Sequence, residues 1–187
     1  MKKEIKRCGW VPKGNTLYEK YHDKEWGVLV RSDKKIFEFI VLESAQAGLS
    51  WLIVLRKREG YKKAFADFDP RKVAKFGKKE VKKLLQNEGI IRNKAKIEAS
   101  IQNAKIFLDI QKEFGTFSKY MWSFVKGKII KHKIKKLSDY PKYTKEAEEF
   151  AGDLKKRGFR FFGPTVAYAH MQAVGMFNDH MIGCFKN

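Results

Sequence analysis

The sequence predicts an all-α protein: a compact bundle of many short helices. Apolar residues recur at helical spacing, as at Ile97, Ile101, Ala104, Phe107 and Leu108. Caps and breakers punctuate the chain at short intervals. The one stretch with β-branched residues outside that pattern, 127–143, is short, basic and irregular. Hydrophobic residues make up 43% of the 187, enough for one core. No internal repeat and no linker rich in Pro, Gly or Ser divides the chain. A single domain over 1–187, with two helical lobes and no separable linker, is the expected organisation.

The elements follow in order. "LYEKYHDKEWG" is a short polar-aromatic segment. "SDKKIFEFIVLESAQAGLSWLIVLRKREGYKKAF" reads as two helices. Ser32 or Asp33 supplies the cap, and Gly48 marks the break. "DPRKVAKF" and "KKEVKKLLQNEG" continue in short helical pieces. "NKAKIEASIQNAKIFLDIQKEFG" carries the stripe named above, and "TFSKYMWSFV" is another short helix. "GKIIKHKIKKLSDYPKYT" has room for one brief extended piece. "KEAEEFAGDLKKRGF" is helical, and Pro164 stands well for the first turn of the last helix.

Lys and Arg number 41 against 21 Asp and Glu, a net charge of +20. Such a field draws polyanions, nucleic acid first and anionic membrane second. A surface solvated by lysine is the plainer reading. Aromatic residues reach 14%, and aromatic faces are what unstacked bases rest on. No apolar run of about 20 residues could span a bilayer. The basic start, "MKKEIKRCGW", is not followed by the apolar stretch of a signal peptide. A cytoplasmic location is expected.

Only two cysteines occur, Cys8 and Cys184, and a cytosolic chain does not normally join such a pair. Each has a histidine near it. His22 follows Cys8, and His180 precedes Cys184 by four residues, one turn of helix. Together they form Cys2His2, a common tetrahedral zinc set. A zinc ion there would tie together two ends that otherwise fray. Four protein ligands leave no open position, so the metal would be structural. The alternative is two buried cysteines and two ordinary histidines.

Trp10, Tyr18, Tyr21 and Trp26 crowd around the first two of these residues. They either wall a pocket or pack a core. Glu43 is more pointed. On a helical wheel it falls within about 60° of Ile36, Phe39, Ile40 and Ala47, while Glu38 falls on the opposite, solvent side. An unpaired carboxylate on an apolar face is expensive, so Glu43 is either paired internally or waiting for a ligand. "KKLLQNEGIIRNKAKI" reads as two helices around a tight Gly-containing turn, with Lys94 and Lys96 opening the second. It resembles a helix–hairpin–helix, whose turn offers backbone N–H groups and a helix N-terminus to a phosphate. A plain αα-turn would look similar.

"RCGWV", "YHDKEWG", "LESAQAGLSW", "VLRKREGY", "GIIRNKAKI", "WSFV", "KKRGF" and "NDHMIGC", in this order, resemble the DNA-3-methyladenine glycosylase I family from Cys8 to Cys184. The resemblance implies the helix–hairpin–helix glycosylase fold, all-α, with a zinc clip on Cys8, His22, His180 and Cys184 joining the N- and C-terminal segments. It implies a base pocket of Glu43 and Trp51 with Trp10, Tyr18, Tyr21 and Trp26 around it. Gly48 and Leu49 would fill the gap left by an extracted nucleotide. Gly89, Ile91, Arg92 and Lys94 would grip the DNA backbone. The implied activity is hydrolytic excision of 3-methyladenine from alkylated double-stranded DNA, leaving an abasic site. The enzyme would be a monofunctional N-glycosyl hydrolase of base excision repair, working as a monomer away from membranes. The other reading is a zinc-stabilised protein that binds lesions without cleaving them. Asp179 is a candidate to position water by residue type only. Segment 127–143 is the least family-like and has no assigned role.

Overall fold

The computed structural model describes residues 5–187; the first four positions of the expected 1–187 domain lie outside the described residues. The described chain is helical. Its helices are α1 (Thr16–Lys24), α2 (Asp33–Gln46), α3 (Trp51–Ala64), α4 (Pro70–Val73), α5 (Lys78–Gln86), α6 (Lys94–Phe114), α7 (Phe117–Ser123), α8 (Lys145–Lys156) and α9 (Pro164–Ala173). No described helix is long and apolar enough to cross a membrane.

Caps set most of these boundaries. Side chains of Asn15, Ser32, Asp69, Asn93, Thr116 and Thr144 each accept a backbone N–H of the following first turn. Of the two residues expected to cap α2, Ser32 does so. Asp33 instead caps a different helix: its carboxylate accepts from Phe117 N at 2.8 Å and Ser118 N at 2.9 Å, the start of α7. Pro164 opens α9, where its missing N–H has no cost.

α2 is the central rod. Ile36, Phe37, Phe39, Ile40, Val41, Leu42, Glu43, Ser44 and Ala45 are all buried, so the helix is covered all round. It packs against α3, α6, α7 and α9. Glu38, expected in solvent, is instead clamped by Arg58 at 2.7 Å and Lys35 at 2.9 Å. Its neighbour α3 supplies a guanidinium that a helical wheel of α2 does not contain.

α5 and α6 meet through the turn 87–93. That turn lies against α3 at Gly60: a Cβ there would stand 2.1 Å from the carbonyl oxygen of Gly89. Only glycine permits this approach. Lys96, which opens α6 beside Lys94, is buried. Its ammonium donates to Ala45 O at 2.8 Å and Ala47 O at 2.6 Å, neutralising the carbonyl end of α2. It ties the start of α6 to the loop between α2 and α3.

The brief extended piece expected in 127–143 is β1 (Ile130–Lys131), paired in parallel with β2 (Phe177–Asn178). It carries that segment to the C-terminal one. His180 and Cys184 do not lie on a helix: residues 179–187 run through turns. Tertiary position, not helical phase, brings their side chains together.

Candidate functional site

A cavity of about 350 Å³ opens between α1, α2, α3, α9 and the segment around residue 140. Trp10, Tyr18, Tyr21, Trp26, Glu43 and Trp51 all line it. The rings brace one another. Trp10 meets Trp26 edge-on at 4.9 Å and Tyr18 at 6.1 Å, and Tyr21 meets Trp51 at 5.3 Å. The indole N–H of Trp51 is buried without a partner among the described residues.

Glu43 enters this apolar box from the last turns of α2, 4% exposed. It is paired internally and also faces the cavity. Its Oε2 lies 2.7 Å from His170 Nδ1 on α9, and its side chain lines the cavity. Burial pushes its carboxyl above the usual range, while the charge and hydrogen bond of His170 draw it down. Burial also raises the Tyr21 phenol well above its ordinary value, so that ring stays neutral. One buried carboxylate among rings favours a flat, cationic guest over a neutral one.

The rest of the wall was not legible beforehand. Thr165, Tyr168, Ala169 and Gln172 come from one face of α9, and Leu137, Tyr140, Pro141 and Lys142 from the basic segment. Segment 127–143 thus builds part of the cavity. The signal for α9 was present as polar groups at helical spacing, but nothing in the chain said what that face met. Asp179 lies behind this wall, fully buried. It accepts from Tyr168 OH, from Gln172 Nε2 at 2.7 Å and from His132 Nδ1 at 2.7 Å. Both its oxygens are engaged, so it braces the wall and does not face the cavity as a water-positioning group.

A second hollow of about 280 Å³ shares Glu43, Gln46, Thr165 and Ala169 with the first and is bounded by Gly48 and Leu49. Gly48 adopts φ +77°, and Leu49 projects with 39% exposure. In the 87–93 turn, Arg92 and Lys94 are exposed and only loosely paired, with Glu88 at 3.5 Å and Glu98 at 3.9 Å. The amides of Gly89 and Ile91 are already used, by Asn87 Oδ1 and Tyr61 OH. Of the four expected backbone-gripping residues, the two cations are free to reach outward and those two amides are not.

Behind Trp10 and Trp26 lie Cys8, His22, His180 and Cys184, all buried, with their ligand atoms within 4.8 Å of one another. Cys8 Sγ is 3.6 Å from His180 Nδ1; Cys184 Sγ is 3.5 Å from His22 Nε2 and 3.7 Å from His180 Nδ1. Zn–S of about 2.3 Å and Zn–N of about 2.05 Å at tetrahedral angles put S and N about 3.6 Å apart. The donor set therefore fits a tetrahedral metal. The far nitrogen of His22 meets Asp23 at 2.8 Å, the support metal-binding imidazoles usually have. Without metal, burial pushes the Cys8 thiol up to about 12 and the His180 imidazole down to about 4. Trp10 packs on His22 at 5.3 Å and Trp26 on His180 at 4.7 Å, so the cavity wall stands on this cluster.

Comparison with known proteins gives a consistent result. Residues 10–187 match the methyladenine glycosylase family. The chain is 46% identical over 180 residues to DNA-3-methyladenine glycosylase 1 of Escherichia coli (strain K12), covering 96% of each. A crystal structure of 3-methyladenine DNA glycosylase I superposes with a TM-score of 0.92 at 46% identity, covering 96% of this chain and 98% of that one. The 3-methyladenine DNA glycosylase I from Staphylococcus aureus, solved to explain its recognition of 3-methyladenine, superposes with a TM-score of 0.92 at 35% identity, covering 96% and 95%.

Proposed function

This chain belongs to the methyladenine glycosylase family, and from that premise we propose how its own residues carry out the reaction. The protein is a DNA-3-methyladenine glycosylase: a DNA-repair hydrolase that takes the damaged base out of alkylated DNA and hydrolyses its bond to the sugar, leaving an abasic site. The observation that carries the residue-level reading is the single buried carboxylate, Glu43, in a cavity lined by seven aromatic rings.

Methylation at N3 makes adenine cationic and a good leaving group, so little acid catalysis is needed. Extrusion from the duplex costs a few kcal/mol, least for a damaged base. Trp51 and its neighbours receive the flipped base, with stacking of roughly 1–3 kcal/mol and a cation–π contribution of about 0.5–2 kcal/mol. Glu43 accepts from the exocyclic amine, which guanine lacks at that position, and its charge offsets that of the lesion. Leu49, on the Gly48 turn, fills the gap in the duplex. Lys94 and Arg92 meet phosphates in a helix–hairpin–helix made by α5, the 87–93 turn and α6. Bulk water attacks the sugar carbon; no described side chain of the cavity is assigned to activate it.

Cys8, His22, His180 and Cys184 would hold one structural Zn²⁺. Such an ion supplies cross-linking free energy and no chemistry, because no coordination position is left for water. The enzyme works as a cytoplasmic monomer of one domain on double-stranded DNA. Incubation of the purified protein with methylated DNA, followed by chromatography of the released bases, is expected to yield free 3-methyladenine and matching abasic sites. Retention of damaged DNA without base release would overturn the enzymatic reading.

A further inference from the structure

α9 sends one ionisable residue into the interface with α2. His170 is fully buried, with Phe162 edge-on at 5.4 Å. Its Nδ1 lies 2.7 Å from Glu43 Oε2, while its Nε2 is buried with no partner among the described residues. The ring has one acceptor in reach, so the proton of the neutral imidazole belongs on Nδ1. A second proton on Nε2 turns the contact into an ion pair. In either form His170 donates and Glu43 accepts. No protein group holds the other carboxylate oxygen among the described residues.

We propose that His170 is a positioning residue for Glu43: its Nδ1–H holds Oε2, leaves Oε1 for the base, and keeps the carboxylate charged in mildly acidic solution. The proposal rests on the reading of Glu43 as the base-recognising group. Its physical core is simple. A carboxylate buried among rings tends to take up a proton, and a hydrogen-bond donor that can itself become cationic opposes this. Among the described residues no other ionisable group is hydrogen-bonded to Glu43, and Lys142, the lysine that also lines the cavity, is exposed. Tyr21 of α1 faces Glu43 but is held neutral by burial. Lys96 of α6 aims its ammonium at Ala45 O and Ala47 O. Arg58 of α3 pairs with Glu25 and Glu38. Asp33 binds the start of α7, and Asp67, beyond α3, pairs with Lys34.

The test is the pH profile of single-turnover excision from methylated duplex, from about pH 5 to about pH 9, with spontaneous release subtracted and each profile scaled to its own plateau. His170→Phe removes the donor and keeps a ring. Its acid limb is expected to move up by about one pH unit, so that on the limb its scaled rate is about tenfold below wild type. His170→Asn, whose side-chain amide can donate from near the Nδ1 position, is expected to return the limb most of the way. A purely structural role lowers the melting temperature without moving the scaled profile. If the Phe variant does not fold, His170→Leu against His170→Asn makes the same comparison. Superimposable scaled profiles for wild type and Phe, or an Asn profile equal to that of Phe, would overturn the proposal. Glu43→Gln run alongside separates the two failures. If it excises at the wild-type rate, the reading of Glu43 is wrong. If it is crippled while the Phe profile matches wild type, only the role of His170 is wrong.

Discussion

Replacing Glu43 by glutamine tests the base pocket most directly. The side chain is 4% exposed, bonded to His170 at 2.7 Å and open to the ring-lined cavity. Glutamine keeps its shape, and its amide oxygen can still accept from His170. The group left facing the base is then an NH2 donor where an acceptor is needed, and the charge that offset the cationic lesion is gone. Losing a hydrogen bond to a charged partner costs about 1.5–3 kcal/mol, so excision is expected to fall by about 10- to 150-fold. Affinity for undamaged duplex should change little, because phosphate contacts dominate it. Stability is expected to move the other way. Burial raises the carboxyl of Glu43; a carboxyl raised on folding disfavours the native state above its folded pKa, and that penalty fades as pH falls. A neutral amide removes the penalty, so the melting temperature near neutral pH should hold or rise slightly. The assay is single-turnover excision and thermal melting on one preparation. A destabilised variant with full activity would make Glu43 a structural ion-pair partner and refute the pocket assignment.

Further expectations follow from the clip, the hairpin and the buried lysine. Purified protein should contain one zinc per chain, and Cys184→Ser should lower both zinc content and melting temperature; metal analysis with unchanged zinc in that variant would reject the clip. Zinc loading should release protons, because the buried Cys8 thiol is held protonated without metal, and stripping it should also weaken base binding, since Trp10 and Trp26 pack on His22 and His180. Lys94→Ala should reduce the slope of log K against log salt by about 0.9 on undamaged duplex; unchanged affinity and slope would place DNA elsewhere. Lys96→Met leaves Ala45 O and Ala47 O without their donor and should destabilise by about 1–3 kcal/mol in denaturant melts, whereas an exposed DNA-binding lysine would leave the melt unchanged.

The helical class, the helix starts and the Cys2His2 set of residues were legible in the chain because they depend on local features. Ser32 stands where a helix begins, Pro164 suits a first turn, and Cys8, His22, His180 and Cys184 are unusual residue types wherever they fall. Glu43 was legible too, as a charge on an apolar stripe of α2. What no local pattern contained was its partner. His170 lies 127 residues on, and only the packing of α9 on α2 joins the two. The same holds for Glu38, expected in solvent and found under Arg58, and for Lys96, read only as opening its helix and found closing the end of α2. Asp179 was open as a water-positioning group until the fold surrounded it with Tyr168, Gln172 and His132. Helical phase tells which face a side chain leaves from. Whether that face meets water, a counter-charge or a cavity depends on which distant element lies opposite, and that is fixed by tertiary packing alone.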